Sequence, residues 1–210
     1  LAVSVLIQTC LGGIYAWSAF VPSLRADYGL STGATQLVFG VLFVGFTLAM
    51  IPAGIWLSRT GPRRVAMTGG VLFGLGFVVA SYSNGSFPVL LAGIGLITGA
   101  GVGFGYVCPI AACIRWFPDR KGLVTGIAVA GFGGGSIILS EIGDVLIDRG
   151  MDVLLLFRYM GVVYTAVIIG AAALLFSPPR EEHHERVVAP SIRSAMGTRH
   201  FWLLSFGLFA

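Results

Sequence analysis

Three aromatic side chains with a polar tip lie deep in apolar stretches of the sequence: Tyr15, Trp17 and Tyr106. A hydroxyl or indole N–H that is buried away from water needs a hydrogen-bonding partner. Each tyrosine ends a Gly-x-x-Tyr segment, at 12–15 and 103–106. We interpret these side chains as contacts for a small solute; the alternative is a position at the membrane interface, where such residues are common.

Histidine and cysteine, the residues that most often carry catalysis or metal binding, are placed unfavourably for either. The histidines lie in a late polar segment or at its edge, and they are His183, His184 and His200. The cysteines lie in apolar runs without zinc-site spacing, and they are Cys10, Cys108 and Cys113. We interpret the thiols as structural and expect no enzyme activity, no cofactor and no metal site. Adventitious metal binding by His183 and His184 is the alternative to a solvated charged segment.

The composition indicates that membrane-spanning helices hold these residues. Of 210 residues, 56% are hydrophobic and only 10% are charged, whereas about 25% of the residues of a soluble domain are charged. So few charges cannot coat a water-soluble globule, which argues against a soluble enzyme, a disordered tail and a nucleic-acid-binding domain. The remaining class is a polytopic protein embedded in the lipid bilayer.

Six apolar runs are long enough to cross the hydrocarbon core, which needs about 20 residues, and lipid leaves the helix as the only single-segment solution. We predict an all-α fold with spans at 1–21, 37–57, 65–82, 89–114, 123–139 and 153–176. Residues 1–176 would form one bundle, the polar segment 177–200 a linker, and 201–210 the start of a seventh helix. Because Leu1 already lies in an apolar run, we expect the chain to be part of a longer protein.

Basic residues are distributed unevenly among the connections. Ten of the thirteen Lys and Arg residues fall at 58–64, 115–122 and 177–200. The positive-inside rule predicts that these three connections, including the linker, face the cytoplasm. Helix one then runs outward and helix four inward, so the two Gly-x-x-Tyr segments predict inverted three-helix units, as in many secondary carriers. A chance match of four residues in a glycine-rich chain is the alternative.

Glycine is abundant, at 31 of 210 residues. Gly-x-x-x-Gly steps occur in span four (Gly95, Gly99 and Gly103; Gly101 and Gly105) and in span five (Gly122 and Gly126; Gly131 and Gly135). A phosphate-binding loop would need a preceding strand and a Lys or acidic partner, and the apolar runs contain neither. We interpret the spacing as close packing of helices in lipid.

The connection between spans two and three carries a specific motif. Its sequence, Gly54-Ile55-Trp56-Leu57-Ser58-Arg59-Thr60-Gly61-Pro62-Arg63-Arg64, resembles the loop 2–3 signature of the major facilitator superfamily, Gly-x-x-x-Asp-Arg-x-Gly-Arg-Arg. The resemblance implies a gating loop built on Gly54, Arg59, Gly61, Arg63 and Arg64. Ser58 replaces the usual Asp, which in the family joins a charge network that latches two six-helix halves. A topology signal alone is the simpler alternative.

The run Arg115-Trp116-Phe117-Pro118-Asp119-Arg120-Lys121-Gly122 extends the resemblance. Together with 131–135 and 15–18 it resembles the oxalate/formate antiporter family, a branch of the same superfamily close to the monocarboxylate porters. The resemblance covers the whole chain and implies the N-terminal half of a monomeric secondary transporter of small carboxylates that works by alternating access. It also implies that Tyr15, Tyr106 and Phe132 line the central cavity; Trp17 is a further candidate.

Substrate and coupling stay open at this point. No charged residue lies near the middle of a span, and the resemblance implies that cations facing the anion belong to helices eight and eleven of a C-terminal half. Ile14 replaces the Gln of oxalate carriers, which predicts a less polar cavity wall. The alternatives are a proton-coupled symporter of another small solute and a channel or non-transporting membrane component. We expect the inner or plasma membrane as the location.

Overall fold

The computed structural model describes residues 1–176 and 197–198. Within that part of the chain, six helices are long and apolar enough to cross a membrane: α1 (Ala2–Tyr28), α2 (Thr32–Thr60), α3 (Pro62–Ser81), α4 (Phe87–Trp116), α5 (Pro118–Asp148) and α6 (Val153–Ala173). The regular elements described are all helical, so the predicted all-α membrane bundle is confirmed. The expected linker at 177–200 and the expected helix at 201–210 lie outside the described residues, apart from Gly197 and Thr198.

Local sequence signals set several helix ends. The Ser31 hydroxyl accepts a hydrogen bond from a backbone N–H in the first turn of α2, at 3.1 Å. Gly61 separates α2 from α3 with a φ of +82°, a conformation that costs glycine little. Pro62 then begins α3, where its missing N–H removes no helical hydrogen bond. The Asp152 carboxylate caps α6 by accepting from two backbone N–H groups at 2.8 and 3.0 Å.

At the end of the bundle opposite the basic connections, three helices extend further than predicted. Helix α1 continues to Tyr28 instead of ending at 21, α2 begins at Thr32 instead of 37, and α5 continues to Asp148 instead of ending at 139. Hydropathy reports only where a helix prefers lipid. A helix keeps its backbone hydrogen bonds beyond the apolar core until a cap or a turn stops it, and this explains the difference.

Two of the six helices contain irregular turns in their interior. Residues Gly13–Ala16 of α1 form a 3₁₀ turn, and residues Leu91–Thr98 of α4 form a π-helical stretch. A 3₁₀ turn rotates the chain by about 120° per residue instead of about 100°. Side chains that follow Gly13 therefore point in directions that a regular α-helix would not give them.

The packing of the helices reflects two inverted units. Helix α1 packs against α5, and its counterpart α4 packs against α2, while α3 and α6 pack against each other. Helix α3 also packs extensively against α4, and its counterpart α6 packs less extensively against α1. Exchanging α1, α2 and α3 with α4, α5 and α6 leaves this set of pairs unchanged. The chain therefore folds as two three-helix repeats, as the matching Gly-x-x-Tyr segments predict.

Glycine faces provide many of the close helix contacts. A Cβ atom at Gly99 would lie 2.6 Å from the carbonyl oxygen of Leu42, and one at Gly103 would lie 2.6 Å from that of Phe46. The packing interpretation is therefore confirmed for this face of α4, which meets α2. The same holds for Gly95, Gly101, Gly105, Gly131 and Gly135, where an added Cβ would be 3.0 Å or less from a neighbour.

The first pair of glycines in α5 behaves differently. A Cβ atom at Gly122 or Gly126 would meet nothing within 4 Å. The prediction of a packing role is wrong for these two residues within the described bundle, because both lie on an exposed face of α5, opposite the buried Val124 and Ala128.

The two basic connections 58–64 and 115–122 lie at the same end of the bundle, which we call the basic end. The guanidinium of Arg63 lies 5.9 Å from the ring centre of Phe176, just after α6. The indole N–H of Trp116, at the end of α4, donates to the Phe176 carbonyl at 2.6 Å. One residue thus contacts both connections, as the predicted topology requires.

The opposite end of the bundle is joined by two side-chain contacts. The Tyr28 hydroxyl at the end of α1 donates to the Asp152 carboxylate at the start of α6. The guanidinium of Arg158 lies 4.4 Å from the ring centre of Tyr82, which follows α3. These contacts hold the start of α6 beside the ends of α1 and α3.

Candidate functional site

An aromatic cluster forms where α1, α2, α4 and α5 meet, and it contains three of the predicted site residues. Phe132 of α5 lies between the two tyrosines, with ring centres 5.4 Å from Tyr15 and 5.0 Å from Tyr106, in edge-to-face geometry. Two rings of α2 complete the cluster: Phe43 lies 5.7 Å from Tyr15, and Phe46 lies 5.4 Å from Tyr106. We call these five residues the aromatic cluster.

Backbone contacts bring the rings together. Gly12 lies directly against the carbonyl group of Phe132, where any side chain would clash, so α1 approaches α5 closely just before Tyr15. Gly103 brings α4 against the backbone of Phe46 in the same way. Both glycines begin the Gly-x-x-Tyr segments, so the repeated motif combines a close helix contact with a tyrosine at its end.

The cluster presents an apolar wall with two phenol groups. Tyr15 is 42% exposed, whereas Phe132 is 6% exposed and forms the base between the tyrosines. Tyr106, Phe43 and Phe46 are half-buried. Such a surface can pack against a short apolar tail and offer phenol hydroxyls to a carboxylate.

Trp17 lies apart from the aromatic cluster. Its side chain is 4% exposed, its indole N–H donates to the Thr35 carbonyl at 3.1 Å, and its ring stacks on Phe157 of α6 at 6.3 Å. The indole therefore has its polar partner within the core, and the structure does not bring it together with Tyr15. Ile14 is also in the core, at 3% exposure, so the expectation that it forms a less polar cavity wall is wrong.

Sequence reasoning missed the two rings that α2 contributes. Phe39, Phe43 and Phe46 follow each other at spacings of four and three residues, which places them on one face of a helix. The rings of Phe39 and Phe43 are 5.0 Å apart, and those of Phe43 and Phe46 are 6.4 Å apart. This spacing was a usable signal, although it could not tell whether the face meets lipid or the cluster.

The residues of the motif between α2 and α3 lie at the basic end, away from the aromatic cluster. Arg59, Arg63 and Arg64 are exposed, and Gly54 has open space where a Cβ would stand. The hydroxyl of Ser58, in the place of the family's Asp, donates to the Ile55 carbonyl of its own helix at 2.8 Å. Within residues 1–176, Ser58 thus binds locally instead of linking the loop to another element.

Comparison with known proteins agrees with this architecture. The model of the Major Facilitator Superfamily matches residues 2–210. The uncharacterized MFS-type transporter YhjX of Escherichia coli is 31% identical over 85% of the chain and 44% of its own length. The oxalate:formate antiporter of Oxalobacter formigenes is 28% identical over 100% of the chain and 51% of its own length. The apicoplast pyruvate carrier 1 of Toxoplasma gondii is 27% identical over 83% of the chain and 44% of its own length.

The extent of these matches agrees with an N-terminal half. The chain spans about half the length of the curated relatives it matches, at 44% to 51%. The resemblance to the oxalate/formate antiporter branch is confirmed by the antiporter match. With six apolar helices in two inverted repeats and a family model that matches almost all of its residues, the chain belongs to the Major Facilitator Superfamily.

Proposed function

We propose that this chain forms the N-terminal half of a secondary active transporter that moves small organic anions, such as oxalate, formate or monocarboxylates, by alternating access. The observation that carries the proposal is the aromatic cluster, in which one tyrosine from each inverted repeat flanks Phe132. Tyrosines at equivalent places of two inverted repeats lie near the bundle axis, where carriers of this kind bind solutes. The names of two relatives refer to carboxylates: oxalate and formate for the Oxalobacter formigenes antiporter, and pyruvate for the Toxoplasma gondii carrier.

The proposal assigns a role to each part of the carrier. Tyr15, Tyr106 and Phe132 form one wall of the site, and the motif at Arg59, Arg63 and Arg64 belongs to the gating loop. A C-terminal six-helix half supplies the cations that balance the anion, because the spans of this half carry no charge near their middle. The carrier works as a monomer in the inner or plasma membrane, with the linker 177–200 in the cytoplasm.

The test is transport by the full-length carrier in proteoliposomes. We expect saturable uptake of at least one radiolabelled acid among formate, oxalate, lactate and pyruvate. Preloading the vesicles with the same acid accelerates uptake by an exchanger, whereas an imposed proton gradient drives a symporter. If none of the four acids shows saturable uptake under either condition, the proposed substrate class is wrong.

A further inference from the structure

Gln8 of α1 is a buried polar side chain that the proposed site does not use. It is fully buried, at 0% exposure. Within the described residues 1–176, neither its amide nitrogen nor its amide oxygen has a hydrogen-bonding partner. By comparison, Thr98, another fully buried polar residue, donates to the Phe73 carbonyl at 3.3 Å. An amide without a partner costs free energy that an apolar side chain of similar size would not.

The position of Gln8 follows from its neighbours on the same helix face. Leu11, three residues later, covers Gly105 of α4, with 2.7 Å from its Cδ1 to the place of a Cβ. Gly12, four residues later, lies against the Phe132 backbone of α5. Residues three and four apart share a face of a helix. Gln8 therefore faces the groove between α4 and α5, one turn before these contacts.

Within the aromatic cluster, Phe132 and Tyr106 lie between Gln8 and the exposed Tyr15. Tyr15 lies seven residues after Gln8, about 10 Å along the helix. Between them along α1 lies the contact with Phe132, whose ring packs against that of Tyr106 at 5.0 Å. Leu1 and Ser4, at the start of α1, line a cavity with Trp116 at the basic end. Gln8 thus lies between the cluster and the basic end.

We propose that Gln8 is a second solute contact, on the basic-end side of the aromatic cluster, which becomes accessible when the Tyr106–Phe132 ring pair separates. This inference rests on the proposed transport function. A buried amide that nothing satisfies in one conformation is explained if another conformation provides the partner. A role in packing alone would be served better by leucine.

The chemistry of the amide specifies the solute further. Its NH₂ group donates hydrogen bonds and its oxygen accepts them, and both are unpartnered. A carboxylate oxygen can satisfy the NH₂ group, but the amide oxygen needs a donor. A small acid with a hydroxyl beside its carboxylate supplies both. Gln8 therefore favours 2-hydroxy acids over the corresponding keto acids.

The first test compares lactate with pyruvate, which differ in that one group, in the full-length carrier. Gln8→Leu removes both amide functions at similar volume. We expect the KM for pyruvate to rise roughly ten-fold, because the hydrogen bond to its carboxylate is lost. The KM for lactate should rise by roughly a further two-fold to ten-fold, because the bond to its hydroxyl is lost as well. The melting temperature stays at or above that of the wild type. Ile7→Leu is the matched control, because Ile7 is fully buried on the same turn; both KM values stay unchanged in this variant.

The second test measures whether position 8 is accessible to a water-soluble reagent, and it does not require the substrate to be known. Gln8→Cys is placed in a cysteine-free full-length carrier, and a small anionic methanethiosulfonate reagent is applied from the basic end. We expect modification of this cysteine, and no modification of Ile7→Cys. If the wild type transports none of the acids, the proposed function fails, yet modification of Gln8→Cys would still support its place on the solute path. Normal KM values in Gln8→Leu, or an unmodified Gln8→Cys, would overturn the inference.

Discussion

At the scale of single residues, Phe132 gives the candidate site its form. Its buried ring contacts both tyrosine rings edge to face, so one side chain supports the two phenols. Edge-to-face pairs contribute about 0.5–1.5 kcal/mol each beyond the area they bury. The tyrosine rings are thus held by packing, and the proposed binding role falls to their hydroxyls.

We expect Tyr15→Phe and Tyr106→Phe to weaken solute binding without unfolding the carrier. Each substitution removes one hydroxyl and keeps the ring contacts with Phe132. A hydrogen bond to a charged group contributes about 1.5–3 kcal/mol, so the apparent KM should rise about ten-fold to a hundred-fold. Transport kinetics of the full-length variants check this, with the melting temperature in mild detergent as the control. Wild-type kinetics for both variants with every acid tried would identify the tyrosines as packing residues.

Trp17→Phe should change stability and leave solute binding unaffected, the opposite of what we expect for the tyrosine variants. The indole N–H donates to the Thr35 carbonyl at 3.1 Å in a buried position, and the loss of such a hydrogen bond costs about 0.5–1.5 kcal/mol. We expect a lower melting temperature and an unchanged KM. A raised KM at unchanged melting temperature would contradict this prediction and indicate that Trp17 contacts the solute.

The sequence identified the tyrosines of the site but not the directions of their neighbours. Repetition of Gly-x-x-Tyr marked Tyr15 and Tyr106, and the family resemblance added Phe132; the structure brings these three together. The 3₁₀ turn at Gly13–Ala16 changes the rotation of α1 at the very residues whose directions matter. No residue pattern in the sequence indicates that turn. Hydropathy and residue spacing alone therefore could not predict that Trp17 lies in the core.

At the scale of helices, glycine sets the distance between neighbours. The α4 face with Gly99 and Gly103 lies against the backbone of α2, whereas Gly170 of α6 is exposed and has nothing within 4 Å of a Cβ position. The same residue type therefore has two different consequences in one bundle. Gly-x-x-x-Gly spacing predicted the close helix contact at Gly99 and Gly103. The same spacing at Gly122 and Gly126 accompanies exposed positions, so spacing alone does not distinguish the two cases.

Gly103→Ala should destabilise the carrier, and Gly170→Ala should not. A methyl group at Gly103 would lie 2.6 Å from the Phe46 carbonyl oxygen and 2.7 Å from the Ala49 Cβ, so α4 must move away from α2. Overpacking of this kind costs about 1–3 kcal/mol. Melting temperatures of the two full-length variants in mild detergent provide the comparison. Equal stability of both variants would show that α4 and α2 separate without cost.

Helix number was predictable, and helix ends were less so. Six apolar runs predicted six helices because lipid enforces both length and composition. The ends depend on single residues outside the apolar core, such as Ser31 before α2 and Asp152 before α6, whose side chains accept backbone hydrogen bonds. A hydropathy window averages over such residues.

At the scale of the whole molecule, exposure is concentrated on α2 and α5, the least buried of the six helices. Their exposed residues are large and apolar; Leu48 of α2 is 62% exposed and Ile137 of α5 is 68% exposed. Helices α2 and α5 occupy equivalent places in the two repeats. This symmetric pair of apolar faces supports the proposed packing against a C-terminal half, with lipid as the alternative cover.

The orientation of the bundle gives the last prediction. Connections 58–64 and 115–122 lie at one end, and the positive-inside rule assigns that end to the cytoplasm. Single cysteines at exposed positions report the side: Thr60→Cys and Asp119→Cys at the basic end, Ser86→Cys and Arg149→Cys at the other. The native cysteines in 1–176 are buried, so their background labelling is low.

An impermeant maleimide applied to intact cells should label Ser86→Cys and Arg149→Cys but neither cysteine of the basic end. Inside-out vesicles should give the reverse pattern, because the reagent then meets the cytoplasmic surface. The prediction depends on where the arginines lie and not on the identity of the substrate, so it tests the topology separately from transport. Labelling of Thr60→Cys and Asp119→Cys in intact cells would show that the basic end faces outward, opposite to the predicted orientation. Gln8 would then lie on the outer side of the aromatic cluster, where it would meet the solute before Tyr15 during uptake.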